Sequence, residues 1–205
     1  MKIAIMQPYF VPYPGYFLLF KDIDYFVVLD DVQHNPRGFI HRNKVEIYNN
    51  TTWLTLPLIK KRFIKISELD FSKNQEANEK YLNKIQFFFS NQNLDFLKKD
   101  LINLDQAPLH FINNIIKKIV KKLGFNVNFI FSSEISKNNL SGEKKIIDIC
   151  KTLNADRYIN LPGGKKLYNV KNFSNEGIKI SFLDEYEGKK ISILNYFYQN
   201  KNFLV

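Results

Sequence analysis

Apolar positions recur along this chain in two rhythms, and their alternation predicts the fold. Ile3 to Met6 is a short apolar run with no polar break, and Asp24–Leu29 is a second, rich in aromatic and β-branched residues. Continuous runs this short suit strands buried on both faces, as in a parallel sheet. Between them Tyr16–Phe20 predicts a helix, so the first thirty residues form a βαβ unit. Lys44–Tyr48 and Thr51–Leu56 alternate instead, around a turn at Asn49–Asn50, which predicts a β-hairpin. Residues 58–72 give no clear period beyond a short strand at Ile64–Phe71. Helical spacing follows: Ala77, Tyr81, Ile85 and Phe88 over 75–90, a shorter piece over 93–104, and Phe111, Ile115, Ile119 and Leu123 over 107–123, closed by Gly124. The α/β rhythm then resumes with a strand at Phe125–Phe131. A helix from Ser141 carries Ile146, Ile147, Cys150 and Leu153, and strands at Arg157–Asn160 and Ile178–Leu183 flank a small helical piece ending at Gly177. Residues 190–198 give a closing helix.

The expected architecture is α/β: a single domain over 1–205 with a Rossmann-like, mainly parallel sheet, an N-terminal β-hairpin excursion, and a helical insertion or lid over 75–123. Composition supports a folded chain, with 45% hydrophobic and 15% aromatic residues. No apolar run approaches the roughly eighteen residues of a membrane span, and the N-terminus carries no signal-peptide pattern, so a cytoplasmic location is the expectation. The lone Cys150 excludes a disulfide framework and multi-cysteine metal sites.

The net charge of +10 invites a nucleic-acid reading. It is unevenly placed: residues 1–57 hold five basic and five acidic side chains, so the whole excess lies in 58–205, mostly as lysines scattered among asparagines. A phosphate-backbone binder concentrates Lys and Arg on one face. RNA binding follows only if the lysines at 98–99, 117–118 and 121–122 share a patch.

Candidate chemistry gathers in the first third. Pro8, Pro12, Pro14 and Gly15 make 7–16 a fixed loop between a buried strand and a helix start, where α/β proteins bind small anionic ligands. Within it Gln7, Tyr9, Tyr13 and Tyr16 suit a sugar or nucleotide pocket, since aromatics stack on sugar faces and glutamine fixes hydroxyls. Asp30 and Asp31 close the second strand, their side chains expected on opposite faces; one is a candidate general base toward an amine or a metal ligand. Arg37 and Arg42 stand out because arginine is scarce here, and each suits a diphosphate or carboxylate. His34 and His41 are acid–base candidates; their spacing of seven fits no metal motif, and no metal site is expected. Pro162-Gly163-Gly164, directly after a strand, lets backbone amides approach an anion. Cys150 belongs to a buried helix stripe.

Met6-Gln-Pro-Tyr-Phe-x-Pro-Tyr-x-Gly-Tyr-Phe17, Asp30-Asp-Val-Gln33, Arg37-Gly38, Arg42-Asn43, Trp53-Leu-Thr-Leu-Pro57, Ser132-Ser133, Gly142-Glu143 and Asn160-x-Pro-Gly-Gly164 together resemble the WbqC-like family, in order along nearly the whole chain. The resemblance implies a place in O-antigen and other surface-polysaccharide (lipopolysaccharide) biosynthesis. It implies a transferase moving an acyl or aminoacyl group to a nucleotide-linked amino sugar, and it adds Gln33, Asn43, Trp53 and Asn160 to the substrate-binding candidates. In that reading Gln7 and the tyrosines recognise the sugar nucleotide, Arg37 and Arg42 hold phosphate, and Asp30 or Asp31 takes the amine proton; His34 is a catalytic candidate from its own chemistry and not from the resemblance. The donor is a polyanion such as acyl-CoA or a charged tRNA, or an ATP-activated acid; no cofactor is assigned. The opening strand, proline loop and helix also resemble the HIGH-motif nucleotidyltransferase fold, with Tyr13 and Tyr16 where that motif carries histidines. The alternatives are a non-catalytic nucleotide- or sugar-binding accessory protein, and a tRNA or RNA binder.

Overall fold

Successive residues of the first strand face opposite ways, and here each way leads into a hydrophobic core. A computed structural model describes residues 1–135 and 138–201. Strand β1 (Lys2–Met6) runs through the proline loop and one helical turn, α1 (Pro14–Phe17), to β2 (Tyr25–Val28). A hairpin follows, β3 (Arg42–Ile47) and β4 (Asn50–Thr55), and then three helices, α2 (Gln75–Phe89), α3 (Asp95–Ile102) and α4 (Pro108–Lys122). Strand β5 (Asn128–Phe131) passes directly into a helical turn, α5 (Ser132–Ile135). Helix α6 (Gly142–Thr152), β6 (Arg157–Asn160), α7 (Val170–Asn175), β7 (Lys179–Phe182) and α8 (Ile193–Tyr198) come last. Among the described residues no helix is long and apolar enough to cross a membrane.

β1, β2, β5, β6 and β7 form one sheet in the order β5-β2-β1-β6-β7, every neighbour parallel. Ala4, Phe26 and Val28 face one core with Phe10, Phe17, Phe111 and Ile115. Ile3, Ile5 and Val27 face the other, with Ile146, Ile149, Cys150 and Phe173. Both faces of the central strands are dry, which is why their sequences lack the polar alternation of a half-exposed strand. The helices of 75–122 share the first core with the sheet: Tyr81, Leu97 and Phe111 are all buried in it. Helix α6 covers the opposite face. Burial among these neighbours pushes the Cys150 thiol up to about 12, so it stays protonated.

Two local expectations shift. The hairpin turn is Tyr48–Asn49, one residue earlier than the asparagine pair suggested, with φ of +48° and +63°. Both central residues are left-handed, as a type I′ turn requires, and sliding the turn back keeps Val45 and Leu54 buried on one side. The 58–72 segment is a loop folded on itself. Leu58 bridges Phe71, while Gln33 bridges Lys65 and the Asp30 and Val32 carbonyls accept from Ser67 and Ile66. The hairpin edge is closed by Asn195, whose side chain both accepts from the Glu46 amide (3.0 Å) and donates to its carbonyl (2.7 Å), as a paired strand would.

Candidate functional site

The strand order itself marks a place for a ligand. From β1 the chain steps outward to β2 and β5, then returns to lay β6 on the other side of β1. The crevice beyond the carboxyl ends of two strands wound in opposite directions is where open α/β sheets bind ligands. Gln7 leaves β1 at that point, and Asn160 ends β6 beside it. Asn160 is buried, its Oδ1 accepting from the Leu161 amide at 2.7 Å. Gly164 packs onto the same side chain: a Cβ there would sit 2.4 Å from Asn160 Nδ2, whereas Gly163 has open space around it. The chain therefore needs a glycine at 164 for close packing, while Gly163 is the one free to meet a ligand.

One strand over, β2 ends two residues before Asp30, so the alternation of a strand no longer governs the carboxylates, and both converge on one hydroxyl. Ser132 Oγ lies 3.0 Å from Asp30 Oδ1 and 2.5 Å from Asp31 Oδ1. It accepts from the Asp30 amide at 3.2 Å, and its single proton serves one carboxylate at a time. The expectation of opposite faces is corrected here. Asp30 is buried and also accepts from the Ser133 amide (3.0 Å) and Ser133 Oγ (2.7 Å), so both its oxygens are engaged; it ties β5 to β2. Asp31 takes a hydrogen-bonded ion pair from Lys145, in the first turns of α6, with side chains 13% and 8% exposed. Burial alone would raise the Asp31 carboxyl. The hydrogen bonds from Lys145 and Ser132 and the Lys145 charge outweigh it and hold the group below its ordinary 3.8. Lys145 escaped the sequence reading because one more lysine in a lysine-rich chain carries no mark. The available signal was its position just after Gly142-Glu143, in the turn that starts α6.

The proline loop is a support more than a wall of the crevice. Tyr16 is fully buried, packs on Tyr9, Phe17 and Phe26, and donates to the Gln7 carbonyl at 2.9 Å; no part of it reaches a ligand. Tyr13 packs against Tyr186 and Tyr9 against Phe39, leaving Tyr9, Tyr13 and Gln7 half-buried at the rim. Asn43 is buried too, its amide donating to the Phe10 and Val11 carbonyls at 3.1 Å each. It fixes the loop, with 3% of its surface exposed. Arg42 is likewise engaged: it donates to the Arg37 (2.8 Å) and Gly38 (3.3 Å) carbonyls and lies 4.3 Å over the Trp53 ring. Gln33 and Arg37 are exposed, and the Arg37 guanidinium has no partner among the described residues.

His34 and His41 meet, Nε2 to Nδ1 at 3.2 Å, so one donates and the other accepts. Burial lowers both; for His41 burial, then the charges of His34 and Arg42, bring it to about 4. Both are neutral near pH 7. Unfolded histidines titrate near 6.5, so between that pH and about 4 the unfolded chain binds more protons than the folded one. Stability is therefore full above pH 6.5 and falls as pH drops toward 4. Urea midpoints measured across this window should show that fall, and His41→Gln should flatten it. Both rings line a cleft of about 1030 Å³ between the hairpin, the 57–62 segment and α2, where Trp53 also sits. Sequence-predicted residues thus divide between two places: Gln7, Asp30, Asp31, Asn160, Gly163 and Gly164 at the strand ends, and His34, His41 and Trp53 in the cleft.

A relative from Mycobacterium tuberculosis, the uncharacterized protein Rv1507c, is 22% identical over 194 residues, covering 91% of this chain and 83% of its own. No solved structure matches the chain. Residues 7–199, from the glutamine that leaves β1 to the end of α8, match the WbqC-like protein family, and the chain belongs to it.

Proposed function

We propose that this protein is a transferase of polysaccharide biosynthesis that acylates a nucleotide-linked amino sugar held at the carboxyl ends of β1, β2, β5 and β6. The observation that carries the reading is the Asp31–Ser132–Lys145 cluster, an ionised, largely buried carboxylate just past the carboxyl end of β2, one strand from the topological switch point. A sugar ammonium needs a carboxylate to hold it and must lose a proton before its nitrogen can attack an acyl carbon. Asp31 is the carboxylate for that task, since Asp30 is 2% exposed and held by three bonds from Ser132 and Ser133, whereas the Asp31 side chain keeps 13% of its surface open. The incoming ammonium shares Asp31 with Lys145. One proton passes to the carboxylate and on to water; the amine attacks the acyl carbonyl, the C–N bond forms, and the leaving thiolate or alkoxide departs with the second amine proton. Gln7, Tyr9 and the open backbone at Gly163 contact the sugar nucleotide, and Arg37 is the unengaged cation for its phosphate.

A binding-only role has one observation in its favour: both oxygens of Asp31 already have partners, as in a purely structural pair. Mass spectrometry of amide product, with amino-sugar nucleotides and acyl donors, separates the two. Asp31→Asn should lower turnover by about 10²-fold or more. Sugar-nucleotide binding without turnover, unchanged in Asp31→Asn, would give the protein the accessory role.

A further inference from the structure

The cleft beside α2 has no part in holding the amino sugar, yet its lining is distinctive. Its floor is apolar: Leu56, Pro57 and Tyr81 are buried and Leu58 half-buried. Its rim carries Lys60, Lys61, Arg62, Lys80 and Lys84, and among the described residues no Asp or Glu lines it. Lys61 and Lys80 reach Asp70 and Glu76 at 2.6 Å in exposed pairs, which are weak and exchangeable. Lys84 donates to the Trp53 carbonyl at 2.8 Å. Lys60 and Arg62 have no partner among the described residues. An apolar floor under uncompensated cations suits a ligand with phosphate at one end and an apolar arm at the other. A volume of about 1030 Å³ is that of a small-molecule site. His34 lines the cleft and is three residues from Asp31, so their Cα atoms lie within about 11 Å.

We propose that this cleft is the donor site, and that its ligand is a nucleoside diphosphate with a long acyl-bearing arm, the chemistry of an acyl-coenzyme A. The assignment rests on the transferase reading above and selects among its donors. The phosphates sit on Lys60 and Arg62, the arm lies over Leu56–Leu58, and its thioester end points past His34 toward Asp31. The chemical step is the one already balanced: the thioester C–S bond breaks as the amide C–N bond forms.

Calorimetric titration with coenzyme A, acetyl-coenzyme A, ADP and bulk tRNA tests this on the whole protein. Coenzyme A should bind, ADP more weakly because it lacks the arm, and Lys60→Glu/Arg62→Glu should weaken coenzyme A at least about tenfold. Both side chains are exposed, and a melting curve checks that the variant is folded. Equal coenzyme A affinity in wild type and variant, or no binding at about 1 mM, overturns the proposal. So does tRNA binding with a steep salt slope that the double variant abolishes while coenzyme A gives no heat. Sugar nucleotides should bind the double variant as they bind wild type. Their binding where coenzyme A fails would sink the donor site alone; coenzyme A binding through Lys60 and Arg62 where sugar nucleotides fail would sink the crevice reading alone.

Discussion

Lys145→Met should destabilise the protein by about 3–5 kcal/mol, because it leaves the Asp31 carboxylate largely buried with its counter-charge gone. The remaining side-chain donor to Asp31, Ser132 Oγ, is shared with Asp30 and cannot make up the loss. Removing both charges is different: Lys145→Met combined with Asp31→Leu should recover most of the stability, since replacing a buried pair by apolar groups is often neutral. Urea unfolding of the two variants beside wild type gives the coupling directly. The pH dependence follows in sign. Asp31 sits below its ordinary 3.8 in the folded state, so its stabilising contribution is present above that pH and lost as pH falls through the lowered folded value. Wild-type stability should fall in that acid range, and the double variant should lack this part of the fall. A single variant with less than about 1 kcal/mol of loss would mean that Asp31 is solvated and the cluster is no buried site.

The second large effect lies at Asn43. Asn43→Ala should lose about 2–4 kcal/mol, since it strips the donor from two carbonyls and the acceptor from the Lys44 amide, all around a buried side chain. Backbone strain adds to the case. Val11 sits at φ +37°, a left-handed conformation that a β-branched residue resists at a cost on the order of 1–3 kcal/mol. What holds it there is the pair of bonds to its carbonyl, from Asn43 and from Ser192 Oγ at 2.8 Å, with the Ile193 amide on Pro12 beside them. The loop between β1 and α1 is thus fastened to both the hairpin and α8. Denaturant unfolding checks the loss, and amide exchange across 8–16 should accelerate in the variant. Unchanged exchange there would mean that the prolines and the Ser192 and Ile193 contacts hold the loop without Asn43.

Much of this fold could be read from periodicity, because most of its elements bury one thing. The helix at 108–122 announces itself in Phe111, Ile115 and Ile119, and the central strands in unbroken apolar runs. The ends of elements were harder. The hairpin turn moved to Tyr48–Asn49 because side-chain register, not asparagine content, sets it. Polarity misled at the loops. Tyr16 stood out because its hydroxyl is poor core filler, Arg42 because arginine is scarce and Asn43 through the family resemblance, yet irregular backbone has its own unpaired carbonyls, and each of the three donates to at least one. Asp31 was legible at the end of a strand, but its partners were not: Ser132 and Lys145 lie 101 and 114 residues away, and only the parallel pairing of β2 with β5 and the docking of α6 bring them together. No local pattern encodes a contact of that range.

The most direct measurement is calorimetric titration of the protein with UDP-, dTDP- and GDP-linked amino sugars, on wild type and on Asp31→Asn. A crevice that holds an amino sugar through Asp31 predicts that at least one of them binds wild type and binds the variant about tenfold more weakly or worse. If none gives heat or raises the melting temperature of wild type, the strand-end crevice is not an amino-sugar nucleotide site.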